Sequence, residues 1–511
     1  MTEYNRKSSF NNQKKKNFDQ KTEGKISSLN CLSNEIFYEI FNYLESCEVY
    51  YAFNNLNHRF EQLLKSLSIM LNINSDNLQS KKYIPGILKR ILDFNQGQII
   101  VIYLDMSLSI KEYVSFDSSF NRLHSLYLHN CQSDILIPFL TNLSCLSSLS
   151  SLTLDSSDQS IDLTDIYQII LTLSTLKKYT LLANGPTFSS LLLPVANINQ
   201  KLSTIEQLDI RNHCNFNDCL SIISYTPQLS HLIYIQPNPI DFNIEINSSI
   251  SPSKLTHLYI RVSDMKFDIF EKFISKIPSK LKVLSFTTES EDINYLDANR
   301  WKRFLLKYYP QLEEFYLRYH TTHHDNFDSE KRNKFLSLFW IERRWIFEVK
   351  MGYKHILYSI KPYKNRWYDV LPNGIFPSSS ILKKSSHLTL MNIHSKQWRN
   401  IKYILTLTQI YHLAIPVEKI FIGTLMVIVN SLPEFVSLQL HSLSFEQPDD
   451  IDDEDFYGFF KKQSTSKIKK VYVEKIDHKG EIAFLSTLCP LMECCRIISF
   501  QNSTDMKSYY L

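Results

Sequence analysis

A six-residue phrase, with apolar residues at its first, fourth and sixth positions, returns fourteen times over residues 99–497. Successive phrases start 24 to 31 residues apart in a first block and 24 to 33 apart in a second block, which begins at Ser385, a serine in the first position. Side chains alternate along a strand, so the fourth and sixth positions share one face. A lone strand cannot bury that face, whereas stacked parallel strands with returning helices can. The period therefore predicts an α/β fold, a solenoid with a parallel sheet and helices on its outer face.

The best single copy of the phrase is Leu123-His124-Ser125-Leu126-Tyr127-Leu128-His129-Asn130-Cys131, which carries a cysteine at its ninth position. This copy resembles the leucine-rich repeat. The resemblance implies a divergent leucine-rich-repeat solenoid over residues 99–334 and 381–511. Returning helices are predicted at 167–173, 267–277 and 301–308. The alternative is an α/β domain whose buried strands happen to be rich in leucine.

Residues 29–66, ahead of the repeats, have a helical pattern. Ser33 can cap a helix whose first turn carries Glu35, because a carboxylate is favoured beside the exposed amides of a helix start. Apolar residues then recur at helical spacing, and further starts at Ser46 and near Leu56 predict three short helices in all. A unit of this size rarely has a sufficient core of its own. Another chain or the following domain is therefore expected to cover part of it.

The same segment resembles the F-box, on Leu32, Glu35-Ile36, Ile40-Phe41, Tyr43-Leu44, Phe53, Leu56, Asn57 and Phe60. The resemblance implies binding to the Skp-type adaptor of cullin-RING ubiquitin ligases. The adaptor-binding residues that it implies are Leu32, Ser33, Glu35, Ile36, Ile40, Phe41, Leu44 and Leu56. Ser33 stands where the family usually has proline, and a serine cap can replace the proline there. The alternative is an ordinary helical cap on the repeat domain.

The N-terminal 28 residues account for the charge of the whole chain. They hold seven basic and three acidic residues, and the difference of four equals the net charge of +4. This stretch predicts a disordered basic tail, followed after the helical module by a helical linker or cap at 67–98. A neutral body gives no case for nucleic-acid binding. The cysteines are scattered, and the most membrane-like run, 420–429, is interrupted by Gly423 and Thr424 and is too short to span a bilayer. A protein of the cytoplasm, the nucleus or both is expected, with no membrane partner.

Two stretches break the repeat. Residues 335–380 are predicted to contain irregular, aromatic-rich strands. Trp345, Phe347 and Val349 alternate in the manner of a strand, and so do Ile356, Tyr358 and Ile360. They are read either as an insertion or as a replaced repeat. The acidic run at 448–455 lacks the glycine and the final glutamate of a calcium-binding loop. It is therefore interpreted as a solvated loop.

The strongest enzymatic pattern is His320-Thr321-Thr322-His323-His324-Asp325, whose H-H-x-x-x-D spacing runs on to Asp328. This spacing occurs in acyltransferases that use the second histidine as a general base, and the cluster could also hold a metal. Ser329 stands where that motif has glycine, and the cluster directly follows a repeat strand. A polar loop is the favoured interpretation. With only nine glycines and no phosphate-binding motif, the sequence predicts no catalytic residue, no cofactor and no metal site.

The open face of a repeat sheet is its expected binding surface. The positions between and after the core residues are Tyr127, His129, Asp209, Arg211, Tyr259, Arg261, Tyr316, Arg318, Tyr472 and Glu474. Arginine and tyrosine combine forked hydrogen bonding with aromatic contact. We therefore predict a target-binding surface formed by Tyr127, Arg211, Tyr259, Arg261, Tyr316 and Arg318. The arginines would bind an acidic or phosphorylated segment of the target. The alternative is that these are ordinary solvated polar positions of a sheet.

These features together predict a non-catalytic substrate-recognition subunit of an SCF-type ubiquitin ligase. The helical module would dock to the Skp-type adaptor, and through it to a cullin, while the repeats hold an unknown target protein. The chain would act by proximity and orientation. A protein-interaction scaffold without ligase activity is the alternative, and an acyltransferase built on His324 is a more distant one.

Overall fold

A computed structural model describes the chain over a set of separate stretches: residues 32–44, 46–73, 92, 96–106, 116–156, 163–183, 191, 193–196, 202–212, 214–236, 254–277, 280–322, 334–352, 355–364, 386–391, 410–432, 434–446 and 466–500. The chain divides into two compact units. Unit 1 comprises Met1–Cys131 and Asn142–Ser151, and unit 2 comprises Gln132–Thr141 and Leu152–Leu511. The predicted basic tail, the acidic run at 448–455 and His323 to Asp325 lie outside the described residues.

Unit 1 opens with three short helices, as the sequence predicts. They are α1 Asn34–Asn42, α2 Ser46–Phe53 and α3 His58–Ser66. Asn57 caps α3, because its side chain accepts a hydrogen bond from the amide of Phe60 at 3.0 Å. Ser33 takes the N-cap position of α1 with extended backbone angles, but its side chain makes no capping bond to the helix amides.

The prediction of a helical linker or cap at 67–98 is wrong for the first residues of that range. Residues Ile69–Ile73 form a strand, β1, whose side chains alternate between buried and exposed. It pairs in parallel with β2 Ile99–Asp105, which pairs in parallel with β3 Ser125–His129. Ile69, Leu71 and Ile73 enter the core because they share one face of the strand.

Unit 2 contains the remaining elements, apart from the boundary residues Asn142 and Ser151. Its helices are α4 Ser133–Asn142, α5 Leu163–Thr172, α6 Phe216–Ser224, α7 Phe267–Ser275, α8 Ala298–Tyr308, α9 Leu338–Glu342, α10 Ile422–Asn430 and α11 Lys479–Leu488. Its strands are β4 Ser151–Ser156, β5 Lys178–Ala183, β6 Gln207–Asn212, β7 His231–Gln236, β8 His257–Val262, β9 Val283–Glu289, β10 Glu314–Thr321, β11 Trp345–Met351, β12 Ile356–Pro362, β13 His387–Leu390, β14 His412–Ile415, β15 Ile420–Phe421, β16 Ser437–Leu440, β17 Leu443–Ser444, β18 Lys470–Ile476 and β19 Cys494–Phe500.

The repeat phrase marks the strands correctly. Each of the fourteen phrases contains the start of one strand, and the predicted helices at 167–173, 267–277 and 301–308 coincide with α5, α7 and α8. From β5 to β10 every neighbouring pair is parallel. The strands from β13 through β14, β16 and β18 to β19 are parallel too. The architecture is α/β with a parallel sheet, as in leucine-rich repeats.

A hairpin interrupts the parallel order between the two blocks. Strands β11 and β12 pair with each other in antiparallel fashion, and β12, rather than β11, pairs with β10. Strand β11 then pairs in parallel with β13, so the spatial order is β10, β12, β11, β13. Because β12 runs against both neighbours, the direction of the parallel strands is the same on both sides. Within the predicted range 335–380, the two strands that the structure describes, β11 and β12, are therefore a hairpin inserted into the sheet.

The core of unit 2 lies between the sheet and its helices. Trp301 on α8 packs against Phe315 on β10, with ring centroids 5.0 Å apart, and Phe270 on α7 packs against Phe286 on β9 at 4.3 Å. On β10 the buried Phe315 and Leu317 alternate with Tyr316 and Arg318, and on β9 the buried Phe286 lies between Ser285 and Thr287. The helices therefore cover one face of the sheet here, and the predicted binding residues lie on the other face.

Candidate functional site

The three helices of unit 1 bury a small aromatic core. Phe37 lies at its centre, with ring centroids 4.9 Å from Phe60 and 6.0 Å from Phe41, and both Phe37 and Phe60 are almost fully buried. Val49, Leu63 and Leu64 complete the cluster. Phe37 and Phe41 are four residues apart and so lie on the same side of α1.

A second apolar stripe, along α1 and just past its end, remains uncovered beside this core. Ile36 is 46% exposed, Tyr43 is 87% exposed and Leu44 is 39% exposed, while Ile40 between them is half-buried. Ile36 and Ile40 are one turn apart on α1, Tyr43 is the residue that caps its C-terminus, and Leu44 follows, so the spacings of four, seven and eight residues continue one side of the helix just past its end. Leu56, before α3, is 59% exposed. We call Ile36, Ile40, Tyr43, Leu44 and Leu56 the docking stripe.

Arg59 on α3 fixes the start of α1. Its guanidinium donates to the carbonyl oxygen of Leu32 at 2.5 Å and to the side-chain oxygen of Asn34 at 2.7 and 3.0 Å. It also lies 5.3 Å from the centre of the Phe37 ring. The Ser33 hydroxyl hydrogen-bonds the Glu35 carboxylate, which lowers the pKa of Glu35. The side chain of Ser33, predicted to cap the helix amides, therefore bonds the carboxylate of Glu35 instead. The start of α1 is held by the hydrogen bonds of Arg59.

The structure separates the eight predicted adaptor-binding residues by burial. Ser33, Glu35, Ile36, Leu44 and Leu56 are exposed, Leu32 and Ile40 are half-buried, and Phe41 belongs to the core. Phe41 therefore supports the surface rather than forming it. Tyr43 was absent from the predicted set although it is the most exposed apolar side chain of the stripe. Its position seven residues after Ile36 is the signal that identifies it.

In unit 2 the predicted target-binding residues lie in register across the open face of the sheet. Ile235 on β7, Arg261 on β8, Thr287 on β9 and Arg318 on β10 form one cross-strand row. Arg211 on β6 extends this row, because the residue before it, Ile210, pairs with Tyr234. Tyr259, Ser285 and Tyr316 form the neighbouring row. The structure therefore brings five of the six predicted target-binding residues onto one face.

The three arginines of this row are not equivalent. Arg211 donates two hydrogen bonds to Asp209, each 2.9 Å long, so its charge is already paired on its own strand. These bonds raise the pKa of Arg211. Arg261 and Arg318 are exposed and make no ion pair or hydrogen bond within the stretches that the structure describes. Two of the three arginines are thus available to an external anion.

The other predicted positions have local partners. Tyr316 donates its hydroxyl proton to Glu314 at 2.8 Å; its burial, together with this hydrogen bond, raises the pKa of Tyr316 to about 12. In unit 1 the sixth predicted residue, Tyr127, stacks on Tyr103 with ring centroids 4.3 Å apart. At the end of unit 2, Glu474 hydrogen-bonds His441 at 2.6 Å, and Arg496 lies 5.9 Å from the centre of the Tyr472 ring.

Two stacked histidines on the same open face predict a measurable titration. His231 and His257 lie in register with ring centroids 4.1 Å apart and planes 12° apart. Burial lowers the pKa of His231, and the neighbouring His257 lowers that pKa further. The folded chain therefore holds fewer protons here than the unfolded chain, and the resulting loss of stability develops as the pH falls below the ordinary histidine value of about 6.5.

We expect the His257→Gln variant to raise the pKa of His231, since glutamine keeps much of the bulk and removes the like charge. The pKa would remain below its ordinary value, because burial persists. Histidine ring resonances followed by NMR across pH 4–8 measure this shift. An unchanged or lower pKa of His231 in the variant would contradict the account.

The predicted histidine cluster is only partly described. His320 lies on β10, where burial lowers its pKa, while His323, His324 and Asp325 are outside the described residues. Among the residues that are described, no group of three histidine, cysteine, aspartate or glutamate side chains is arranged to hold a metal ion. Within the same part of the chain, no helix has the length and apolar character needed to cross a membrane.

Comparisons with known proteins add little to this geometry. No protein-family model matches the chain, and no curated protein matches it significantly. A leucine-rich-repeat protein of Leptospira interrogans is similar in structure, with 14% identity, a TM-score of 0.27, and coverage of 80% of this chain and 97% of the other. The structure of TLR13 with ssRNA13 has 12% identity and a TM-score of 0.22, covering 86% of this chain and 46% of the other. Both TM-scores are low, so the assignment of the fold rests on this chain's own strands.

Proposed function

We propose that this chain is a non-catalytic substrate-recognition subunit of an SCF-type ubiquitin ligase. The docking stripe binds the Skp-type adaptor, and through it a cullin, while the open face of the sheet binds a target protein. The chain contributes binding and orientation, and the conjugating enzyme supplies the chemistry. Such a subunit works in the cytoplasm or the nucleus.

The uncovered docking stripe is the observation that carries this proposal. The nine-residue helix α1 packs one side into an aromatic core, while Ile36 on its adjacent side and Tyr43 and Leu44 directly after its last residue are exposed. Exposed apolar residues that are contiguous, in contrast to scattered ones, mark interaction sites. The tyrosine and the aliphatic side chains suit the desolvated centre of a protein interface. Arg59 holds the start of α1 in place through its hydrogen bonds to Leu32 and Asn34.

Replacing both Ile36 and Leu56 by aspartate tests the docking surface. We expect recovery of a Skp-type adaptor and a cullin with the tagged chain to fall at least about 100-fold, since each change places a carboxylate in an apolar interface. Both side chains are exposed, so folding is expected to be retained.

Leu306→Asp is the matched control, because Leu306 is similarly exposed on α8 of unit 2. This control is expected to recover adaptor and cullin as the native chain does. If the native chain recovers neither protein, the interaction scaffold without ligase activity replaces the proposal.

A further inference from the structure

Arg261 and Arg318 have a spacing that is set by the sheet. They occupy the same register on β8 and β10, with Thr287 of β9 between them. Neighbouring parallel strands are about 4.8 Å apart, so the two arginines start about 9.6 Å apart. The row before them has the same form, with Tyr259 and Tyr316 on either side of Ser285. Small side chains on β9 thus form a shallow channel floor between longer side chains on β8 and β10.

Acidic residues limit the direction in which an anionic chain can cross this channel. Glu314 precedes Arg318 on the open face of β10, and Glu289 follows Thr287 on the open face of β9. Both carboxylates are exposed. A segment lying along the strands would bring its acidic groups close to one of these glutamates. A segment lying across the strands follows the arginine row and avoids both.

The same arrangement disfavours a polyanion. A nucleic-acid backbone carries a charge at every phosphate, and it would need a continuous basic surface. Within the described cross-strand row, Arg261 and Arg318 are the two arginines without an ion pair, because Asp209 neutralises Arg211. Glu314 and Glu289 lie on either side of this row. Apolar Ile233 and Ile235 occupy the open face of β7 next to Tyr259 and Arg261. A peptide with separated acidic side chains and apolar residues between or beside them fits this surface.

We propose that Arg261 and Arg318 bind two acidic side chains, three residues apart, on an extended target segment that crosses the strands. A polyproline II segment rises about 3.1 Å per residue and has three residues per turn, so residues i and i+3 point the same way about 9.3 Å apart. This distance matches the two-strand spacing of the arginines. This inference specifies the class of target, an acidic extended segment, for the proposed function. It rests on that function, because the open face of the sheet is the proposed target-binding surface.

Short fluorescein-labelled peptides test the spacing directly on the full-length chain. One probe, Gly-Ser-Glu-Pro-Pro-Glu-Pro-Ser-Gly, carries glutamates three residues apart. A second, Gly-Ser-Glu-Glu-Pro-Pro-Pro-Ser-Gly, has the same composition with adjacent glutamates. Fluorescence anisotropy at low salt is expected to show at least about tenfold tighter binding of the first, since the second satisfies only one arginine. Equal binding of the two peptides would overturn the proposal.

Neutralising variants assign the effect to the two arginines. Arg261→Gln with Arg318→Gln is expected to weaken binding of the first peptide at least about tenfold. Arg211→Gln is the matched control, because that arginine is already paired with Asp209, and it should leave binding within about threefold. Equal loss in the control, or no loss in the double variant, would contradict the site.

Two further probes decide between ligand classes. A peptide with one phosphoserine and no glutamate, or a single-stranded RNA oligonucleotide, would overturn the proposal if it bound more tightly than the first peptide. Recovery of the Skp-type adaptor by the same variants is measured in parallel. Retained adaptor with lost peptide binding is expected, and a chain that never recovers adaptor but discriminates between the peptides would refute the ligase assignment alone.

Discussion

The Trp301→Ala variant is expected to lose about 3–5 kcal/mol of stability in unit 2, which is the range for truncating a fully buried aromatic side chain. Trp301 is fully buried, and its ring lies 4.8 Å from Phe267, 5.4 Å from Phe270 and 5.0 Å from Phe315. Its indole N–H donates to the carbonyl oxygen of Tyr295 at 2.9 Å. The substitution therefore leaves a cavity between helices and sheet and removes the donor of a buried carbonyl.

Denaturant unfolding combined with hydrogen exchange measures this loss. In repeat structures neighbouring units carry the stability locally, so exchange should accelerate most in α7, α8, β9 and β10. Trp301→Phe should lose clearly less, because it retains most of the ring. Leu306→Ala, at an exposed position of the same helix, should remain within about 0.5 kcal/mol of the native chain. A loss below about 1 kcal/mol in Trp301→Ala would show that this aromatic cluster is not the core of the unit.

The Phe37→Ala variant is expected to unfold the three helices ahead of β1. Phe37 is fully buried and contacts Phe41, Phe53 and Phe60, all of which depend on it as the centre of their cluster. A loss of about 3–5 kcal/mol is comparable with the total stability that a core of this size provides. The helices should therefore lose exchange protection, while the strands of unit 2 keep theirs.

Tyr43→Ala, at the residue that caps the C-terminus of α1, separates folding from docking. Tyr43 is so exposed that its removal should leave the stability of α1 to α3 unchanged. Adaptor binding should nevertheless weaken, because an exposed aromatic residue at the centre of an interface carries much of its energy.

If Phe37→Ala left exchange protection in α1 to α3 intact, the description of their core would be wrong.

The repeat phrase predicted the strands because two simple rules act together. Alternation places its fourth and sixth residues on one face, and the period leaves room for one returning helix. The same alternation was present in Ile69, Leu71 and Ile73, so β1 could have been found despite lacking the full phrase. The sequence could not predict that β12, rather than β11, lies beside β10, because alternation identifies a strand without specifying its neighbours. That order follows from which edge of the sheet β12 meets, and this depends on tertiary packing.

The candidate surfaces show the same division between local and tertiary information. The pairing of Arg211 with Asp209 was accessible from the sequence, because residues two apart on a strand share a face. The register that aligns Arg261 with Arg318 depends on the pairings of β8 with β9 and of β9 with β10, and it could not be predicted from the sequence. On α1 the amphipathic pattern identified the apolar residues, but packing against α2, whose Phe53 ring lies 5.0 Å from the ring of Phe41, decides that Phe41 is covered and Ile36 is not.

Isothermal titration of the purified full-length chain with a purified Skp-type adaptor is the most direct test of the proposed function. We expect one adaptor to bind per chain with a Kd of about 1 μM or tighter, equivalent to at least about 8 kcal/mol. The Ile36→Asp, Leu56→Asp chain should show no binding heat, and the Leu306→Asp chain should bind as the native chain does. Absence of binding heat with the folded native chain at concentrations far above that Kd would contradict the assignment of the docking stripe.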